Sequence, residues 1–213
     1  PDSVTVIHDR AFEDCTSLSN VVLSKDLEDL GMLAFGNCAS LLEIEIPKSL
    51  AIAHGGMSGG PFGGSGLKNV TFESGITTIA IYLFQGATEI EEIVLPNTVT
   101  SIGNYSFNMC SGLKEVTMST GLTEIGQGAF DSCASLTSVV IPDSVTVIHD
   151  RAFEDCTSLK EVIISNGITS LPNDIFSNCT ALEKVTLPQN VTSIGARDFK
   201  NCTALSSISI PQT

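Results

Sequence analysis

Basic residues are scarce in this chain, which has 10 Lys and Arg against 24 Asp and Glu and a formal net charge of −14. A surplus of negative charge repels the phosphate backbone and anionic lipid headgroups. We therefore expect neither nucleic acid nor a bare membrane surface as a partner. No stretch approaches the roughly 18 consecutive apolar residues of a membrane span, so direct membrane insertion is not expected either.

The motifs of nucleotide, metal and catalytic sites are missing as well. The glycine-rich segment 53–66 contains neither G-x-x-x-x-G-K-[ST] nor G-x-G-x-x-G, and Lys68 comes after it. No C-x-x-C spacing or close histidine pair indicates zinc. His8, His54 and His149 cannot be combined with a nucleophile and an acid into a triad from the sequence. We therefore predict no cofactor, no metal site and no enzymatic activity.

What the chain does have is one unit repeated along its whole length. A phenylalanine recurs every 23 residues, followed three residues later by a cysteine, from Phe107 and Cys110 to Phe199 and Cys202. The same pair recurs at Phe12 and at Phe35, and leucine or isoleucine keeps the same register. A fixed period of this length is the signature of a stacked repeat architecture. The repeating units start near residues 18, 41, 67, 90, 113, 136, 159, 182 and 205.

Each unit carries signals for strand, turn and a second short extended piece. In the unit 136–158, an apolar β-branched run predicts a strand, and Pro142 with the two polar residues after it predicts a turn. Val145, Val147 and Ile148 predict a second extended piece. The segment around Phe153 is short enough for a single helical or 3₁₀ turn. Because one unit cannot bury its apolar positions alone, the copies must stack, with their strands pairing as a parallel sheet.

The pattern resembles the BspA-like type of leucine-rich repeat, L-x-x-I-x-I-P-x-x-V-x-x-I-G-x-x-A-F-x-x-C. It is matched by Leu182, Val185, Leu187, Pro188, Val191, Ile194, Gly195, Phe199 and Cys202. The resemblance implies an α/β repeat solenoid: a right-handed curved stack of about nine units, with a concave parallel sheet and helical or 3₁₀ turns on the convex side. It also implies a surface or secreted protein, as in bacteria and some protozoa, that mediates adhesion and protein binding.

Residues 1–213 are predicted to form a single leucine-rich-repeat domain with partial units at both ends. The chain begins at Pro1 and ends near Pro211, the same turn of the unit, and no polar cap is visible at either end. Because solenoids need caps for solubility, we expect the sequence to be a section of a larger protein. The irregular segment 53–66 is expected to be a flexible bulge on the convex or edge side, with Phe62 still in the core.

All seven cysteines occupy one repeat position, without the paired spacing of a disulfide framework. Adjacent coils can bring such residues within bridging distance, so bridges between coils stay open as an alternative. We favour buried free thiols, because equivalent side chains point in parallel into the core.

The outward face of the predicted strands is the best candidate for a binding site. The residue between the two core positions of each strand is aliphatic at Val94, Val140 and Ile163, and the position two residues before it is acidic at Glu92, Glu115 and Glu161. One interpretation is a solvated sheet with good strand propensity and incidental charge. The other is a ligand surface with an apolar centre and an acidic rim, suited to a basic or mixed protein partner.

Two functions follow from the sequence and the resemblance. The first is a non-enzymatic cell-surface or secreted module that binds a protein ligand, such as a host extracellular or cell-surface protein, through the concave sheet. The second is a rigid structural spacer that displays another domain.

Overall fold

The computed structural model describes residues 2–212 and shows a stack of parallel coils built from fourteen short strands. In chain order these are β1 (Val6–Ile7), β2 (Asp29–Leu30), β3 (Glu43–Ile46), β4 (Ile52–Ala53), β5 (Asn69–Phe72), β6 (Thr78–Ile79), β7 (Glu92–Val94), β8 (Ser101–Ile102), β9 (Glu115–Thr117), β10 (Glu124–Ile125), β11 (Ser138–Val140), β12 (Val147–Ile148), β13 (Glu161–Ile163) and β14 (Lys184–Thr186). The predicted parallel-strand solenoid is confirmed.

The strands form two strips that run along the stack. The first strip contains β3, β5, β7, β9, β11, β13 and β14, and the second contains β1, β2, β4, β6, β8, β10 and β12. Every pair is parallel, and between regular units the register joins residues one repeat apart, as in Ser138 with Glu161 and Glu124 with Val147. The strand and the second extended piece predicted for unit 136–158 are therefore both present, as β11 and β12.

The third side of each coil is a turn segment, and the predicted helical or 3₁₀ turns are wrong, because the described residues contain no helix. The cause is a pair of residues with positive φ in each segment. They lie two positions before and two after the phenylalanine, except in the irregular segment around Phe62, where they are Gly59 and Gly64. Tyr105 and Met109 have φ of 55° and 60°, and Arg151 and Asp155 have 62° and 55°. A right-handed helix cannot pass through left-handed residues.

Hydrogen bonds explain why the chain adopts this conformation. In the segment around Phe107, the amides of Tyr105, Phe107 and Met109 donate to carbonyls of the next coil at 2.8–2.9 Å. The amides between them, such as that of Asn108, donate three residues back within their own coil at 3.2 Å. We call this alternating pattern the turn ladder. It joins successive turn segments at every step from Arg10–Met32 to Asn178–Lys200.

The core is organised around a column of phenylalanine rings. Phe12, Phe35, Phe62, Phe84, Phe107, Phe130, Phe153, Phe176 and Phe199 stack in order, with ring centroids of successive pairs 5.1–5.9 Å apart. The seven inner rings are fully buried. Phe62, which lies in the irregular unit, is in the column, so its predicted core position is confirmed. Stacked aromatic pairs contribute about 0.5–1.5 kcal/mol beyond the burial of their area.

Removing one ring from the middle of this column is expected to destabilise several coils together. Phe130→Ala should lower the free energy of unfolding by about 3–5 kcal/mol, because it leaves a cavity and breaks two ring stacks at once. The measurement is equilibrium denaturation in urea. A loss below about 1 kcal/mol would show that the ring is not part of the cooperative core.

The cysteines line the core beside the phenylalanines. Six of the seven are buried, whereas Cys15 is exposed because it lies in the first coil, whose outer side has no neighbour among the described residues. All are free thiols. Each buried thiol donates a hydrogen bond to the backbone carbonyl of a phenylalanine 26 residues earlier, as in Cys133 to Phe107 at 3.2 Å. Burial raises the pKa of Cys110 to about 12 and that of Cys202 to about 11.

Alkylation should separate the exposed thiol from the buried ones. In the native protein at pH 8, iodoacetamide should modify Cys15 and spare the other six, because burial blocks access and the raised pKa depletes the reactive thiolate. In denaturant without reductant, mass spectrometry should find all seven thiols modified. A mass corresponding to even one bridge would overturn the assignment of free thiols.

The glycine-rich segment is packed into the stack for part of its length, rather than lying wholly outside it as a bulge. Residues 59–63 are all buried, and within the segment Met57, with Ser58, forms the exposed tip. A Cβ at Gly60 would lie 1.9 Å from the carbonyl oxygen of Tyr82, so no side chain fits there. The side chain of Gln85 accepts a hydrogen bond from the Gly56 amide at 3.0 Å and donates to Asn108 at 2.9 Å. The glycines therefore let an irregular unit remain within the turn ladder.

Candidate functional site

The first strip presents the predicted site residues to solvent. We call its outward surface the sheet face; it includes Glu43, Glu45, Asn69, Thr71, Glu92, Val94, Glu115, Thr117, Val140, Glu161, Ile163, Lys184 and Thr186. We add Val22, which occupies the same repeat position in the preceding coil, although that coil has no strand there. Among the aliphatic residues, Val94 is 55% exposed, Val140 62% and Ile163 39%. Between them, Ile93, Val139 and Val162 point into the core. The alternation of a half-buried strand thus places all three predicted contact residues outward.

The structure brings only two of the three aliphatic residues together. Val140 and Ile163 are directly opposite each other on β11 and β13. Val94 pairs with Thr117 on β9, so a polar residue separates it from Val140. Val22, at 89% exposure, is the most exposed aliphatic side chain of the sheet face and lies at the opposite end of the strip. The apolar column is therefore one adjacent pair, Val140 with Ile163, and two isolated valines, Val94 and Val22.

The acidic residues divide in the same way. Glu92 and Glu115 are directly opposite each other on β7 and β9, where like charges repel. Glu161 instead lies between Ser138 and Lys184, and the Lys184 ammonium donates to its carboxylate. The acidic rim predicted from the sequence is thus neutralised at one end and uncompensated around Glu92 and Glu115.

Sequence reasoning missed two interruptions of the first strip, one between β5 and β7 and one between β9 and β11. The first is the one of interest here, because a crevice accompanies it. β5 pairs only with β3 and β7 only with β9, and no backbone hydrogen bond joins β5 to β7 among the described residues. A crevice of about 680 Å³ opens between them. It is lined by Glu43, Lys68, Asn69, Val70, Thr71, Glu91, Glu92 and Val94. The one sequence signal near it is the long, irregular unit that precedes the unit of β5.

The coils splay at this step because their other two sides stay bonded. On the second strip β6 pairs with β8, and in the turn ladder Phe84 donates to the Ser106 carbonyl at 2.7 Å. The two coils are bonded to each other on the turn side and unbonded on the sheet side. The distance between them is therefore larger at the sheet. This local geometry runs against a concave sheet at this step, and the concave position of the sheet face as a whole remains a prediction.

One ion pair lies beside the crevice and neutralises one of its lining glutamates. The Lys114 ammonium lies 2.7 Å from the Glu91 carboxylate, and this hydrogen bond, followed by charge attraction, lowers the pKa of Glu91. Lys68 lies near enough to add to the same effect. Glu43 and Glu92 form no ion pair within residues 2–212.

The histidines lie on the other strip and form two separate carboxylate contacts. His54 Nε2 is 2.9 Å from Asp29 Oδ1, and His149 Nε2 is 2.8 Å from Glu124 Oε1. Neither pair includes a serine or cysteine. Within residues 2–212, no three metal-binding side chains converge on a point that could hold an ion. No helix of the described chain is long and apolar enough to cross a bilayer.

A sequence comparison decides the family. The model of the BspA type leucine rich repeat region matches in six copies, over residues 1–56, 58–157 and 123–213. The chain belongs to this family. The resemblance seen in the spacing of phenylalanine and cysteine is thereby confirmed. No curated protein has a significantly similar sequence.

Solved structures of bacterial leucine-rich-repeat proteins share the fold. A leucine-rich-repeat protein from Bacteroides ovatus is 27% identical, with a TM-score of 0.71. The match covers 99% of this chain and 59% of the Bacteroides ovatus chain. The T. pallidum leucine-rich-repeat protein is 28% identical with a TM-score of 0.62, over 88% and 75% of the two chains. The pneumococcal vaccine antigen PcpA is 19% identical with a TM-score of 0.54, over 92% and 57%, and this likeness shows the fold alone. The BspA-type chain thus spans about three fifths of the Bacteroides ovatus protein.

The facing glutamates of this BspA-type sheet give a direct test of its electrostatics. Glu115→Gln should raise the free energy of unfolding by roughly 0.2–1 kcal/mol at low salt, because it removes the repulsion from Glu92. The gain should vanish near 1 M salt, where such charges are screened. Glu161→Gln is the matched control, and should be neutral or slightly destabilising because it breaks the exposed pair with Lys184. Equal effects of the two changes on the free energy of unfolding would contradict the repulsion between Glu92 and Glu115.

Proposed function

We propose that this chain is a non-enzymatic protein-binding module of a cell-surface or secreted protein, and that it contacts its partner through the sheet face. The observation that carries the proposal is the pair Val140 and Ile163, two adjacent exposed aliphatic side chains on paired strands. A desolvated apolar centre of this kind, surrounded by polar residues, is how most protein interfaces gain their binding energy. The surface or secreted location rests on the BspA-type resemblance.

The rigid backbone under the sheet face supports this role. The β-branched side chains lose little rotamer freedom on binding, and strands β11, β13 and β14 are hydrogen-bonded to one another. The net charge of −14 and the unpaired Glu92 and Glu115 favour a partner with a basic surface. Charges at the edge of an interface mainly set the association rate and its salt dependence.

A second function, the rigid spacer, is supported by the continuity of the stack. The turn ladder is bonded at every step and the phenylalanine column runs through all nine turn segments. Such a rod holds a neighbouring domain at a fixed distance without binding anything itself. The two functions predict different outcomes for the same surface changes.

The binding test compares equal chemical changes on the two strips. Val140→Thr with Ile163→Thr should weaken binding to immobilised extracellular-matrix proteins at least about tenfold, because it removes the apolar centre while keeping strand propensity. The measurement is surface plasmon resonance, with unfolding monitored in parallel. A second variant, in which Gln replaces Glu92, Glu115 and Glu161, should associate more slowly and with a weaker dependence on salt.

The matched control is Ile52→Thr with Val147→Thr, which makes the same change at residues of similar exposure, 46% and 43%, on the second strip. A third variant, Met57→Ser, probes the tip of the glycine-rich segment. Loss of binding from Met57→Ser alone would move the site to that tip. Binding that no variant alters, or no binding at all, would favour the spacer.

A further inference from the structure

We propose that the crevice between β5 and β7 accepts an extended segment of a partner protein, with a Lys or Arg side chain placed between Glu43 and Glu92. The inference rests on the proposed function and names the kind of partner that the sheet face takes. It does not depend on Val140 and Ile163, which lie on other strands.

The first argument is the confinement of the opening to one side of the stack. The same two coils are joined by β6 and β8 on the second strip and by three bonds of the turn ladder, including Tyr82 to Asn104 at 3.0 Å. The rings of Phe84 and Phe107 remain stacked, with centroids 5.3 Å apart. The crevice therefore exists in a coil step whose other contacts are intact.

The second argument is the row of backbone groups that the opening leaves without strand partners. Asn69 and Glu73 direct their amides to β3, and Leu95 directs its amide to β9. Because successive residues of a strand face opposite neighbours, Val70 and Phe72 of β5 and Val94 of β7 direct theirs toward the crevice. Unpaired strand edges are templates for an added strand. An extended peptide satisfies these groups, whereas a compact ligand does not.

The third argument is the charge and polarity of the lining. Of the charged side chains in the lining, Glu91 is paired with Lys114 and has Lys68 nearby. Glu43 and Glu92 form no ion pair among the described side chains, and Glu92 is additionally repelled by Glu115. A cation placed there relieves that repulsion. Val70 is half-buried and Val94 is exposed beside it, so both offer apolar surface to an aliphatic stem. A flexible apolar stem that ends in a positive charge is the chemistry of lysine and arginine.

The test titrates the whole ¹⁵N-labelled chain with a defined probe, the peptide Ac-Thr-Val-Arg-Val-Thr-NH₂, and follows backbone amide shifts. Saturable shifts should appear at Val70, Phe72 and Val94. Replacing the arginine of the peptide with glutamine should weaken binding about tenfold, the effect of losing one charged contact. Methylating the peptide backbone nitrogens should abolish binding, because it removes the donors that pair with a strand edge.

Protein variants give the complementary result. Glu92→Gln should weaken the arginine peptide about tenfold and leave the glutamine peptide unchanged. The control Glu183→Gln, an exposed glutamate far along the stack, should change neither. Thr71→Trp should fill the crevice and block both peptides. Unfolding curves of each variant show whether a loss of binding is a loss of fold.

Several outcomes would overturn the proposal. The first is the absence of saturable shifts up to about 10 mM peptide, a concentration beyond weak millimolar binding. The second is a set of shifts confined to other strands, and the third is equal binding of the arginine and glutamine peptides. A failure here is distinguishable from failure of the proposed function. If the Val140 and Ile163 variants lose matrix binding while the peptides do not bind, only the crevice is excluded.

Discussion

The turn ladder is the constraint on which the rest of the molecule depends. In each regular coil that is followed by another, the residues two before and two after the phenylalanine direct their amides to the next coil, and both have left-handed backbone. Glycine occupies such a position at Gly64, Gly86 and Gly128, but Leu33, Tyr82 and Tyr105 also adopt positive φ. A non-glycine residue in this region costs about 1–2 kcal/mol. The bonds to the next coil and the burial of the adjacent ring offset that cost.

The ladder also sets the spacing of the core. Once successive turn segments are held at hydrogen-bond distance, the phenylalanine between the two left-handed residues must lie over its counterpart. The cysteine three residues later then lies where its thiol reaches a carbonyl of the preceding coil, as Cys156 does with Phe130 at 3.2 Å. The ring stacking, the thiol hydrogen bonds and the bonds of the turn ladder therefore all depend on the same alignment of one coil with the next. This coupling explains how the glycine-rich unit keeps Phe62 in the column despite its extra residues.

The sheet face is under a weaker constraint than the turn side, and there the stack has room to vary. Its strands are three or four residues long, and β5 and β7 are not paired with each other. A coil bonded on two of its three sides stays in the stack when the third side opens. The surface that carries the exposed aliphatic and acidic residues is thus also the surface where backbone groups are free for a partner. A binding function on this side needs no loss of bonds on the others.

The sequence by itself determined the repeat, its register, the phenylalanine and cysteine columns and the outward position of Val94, Val140 and Ile163. These follow from periodicity, because a side chain that recurs at one place in every unit has the same environment in every coil. The turn conformation was decided only by tertiary structure, since left-handed residues as varied as Arg151, Tyr105 and Met109 leave no common local signal. The pairing of Glu161 with Lys184 and the crevice beside β5 likewise depend on how two particular coils meet. The repeat pattern describes each unit alone, whereas the gap arises from contacts between units, and those contacts differ from step to step.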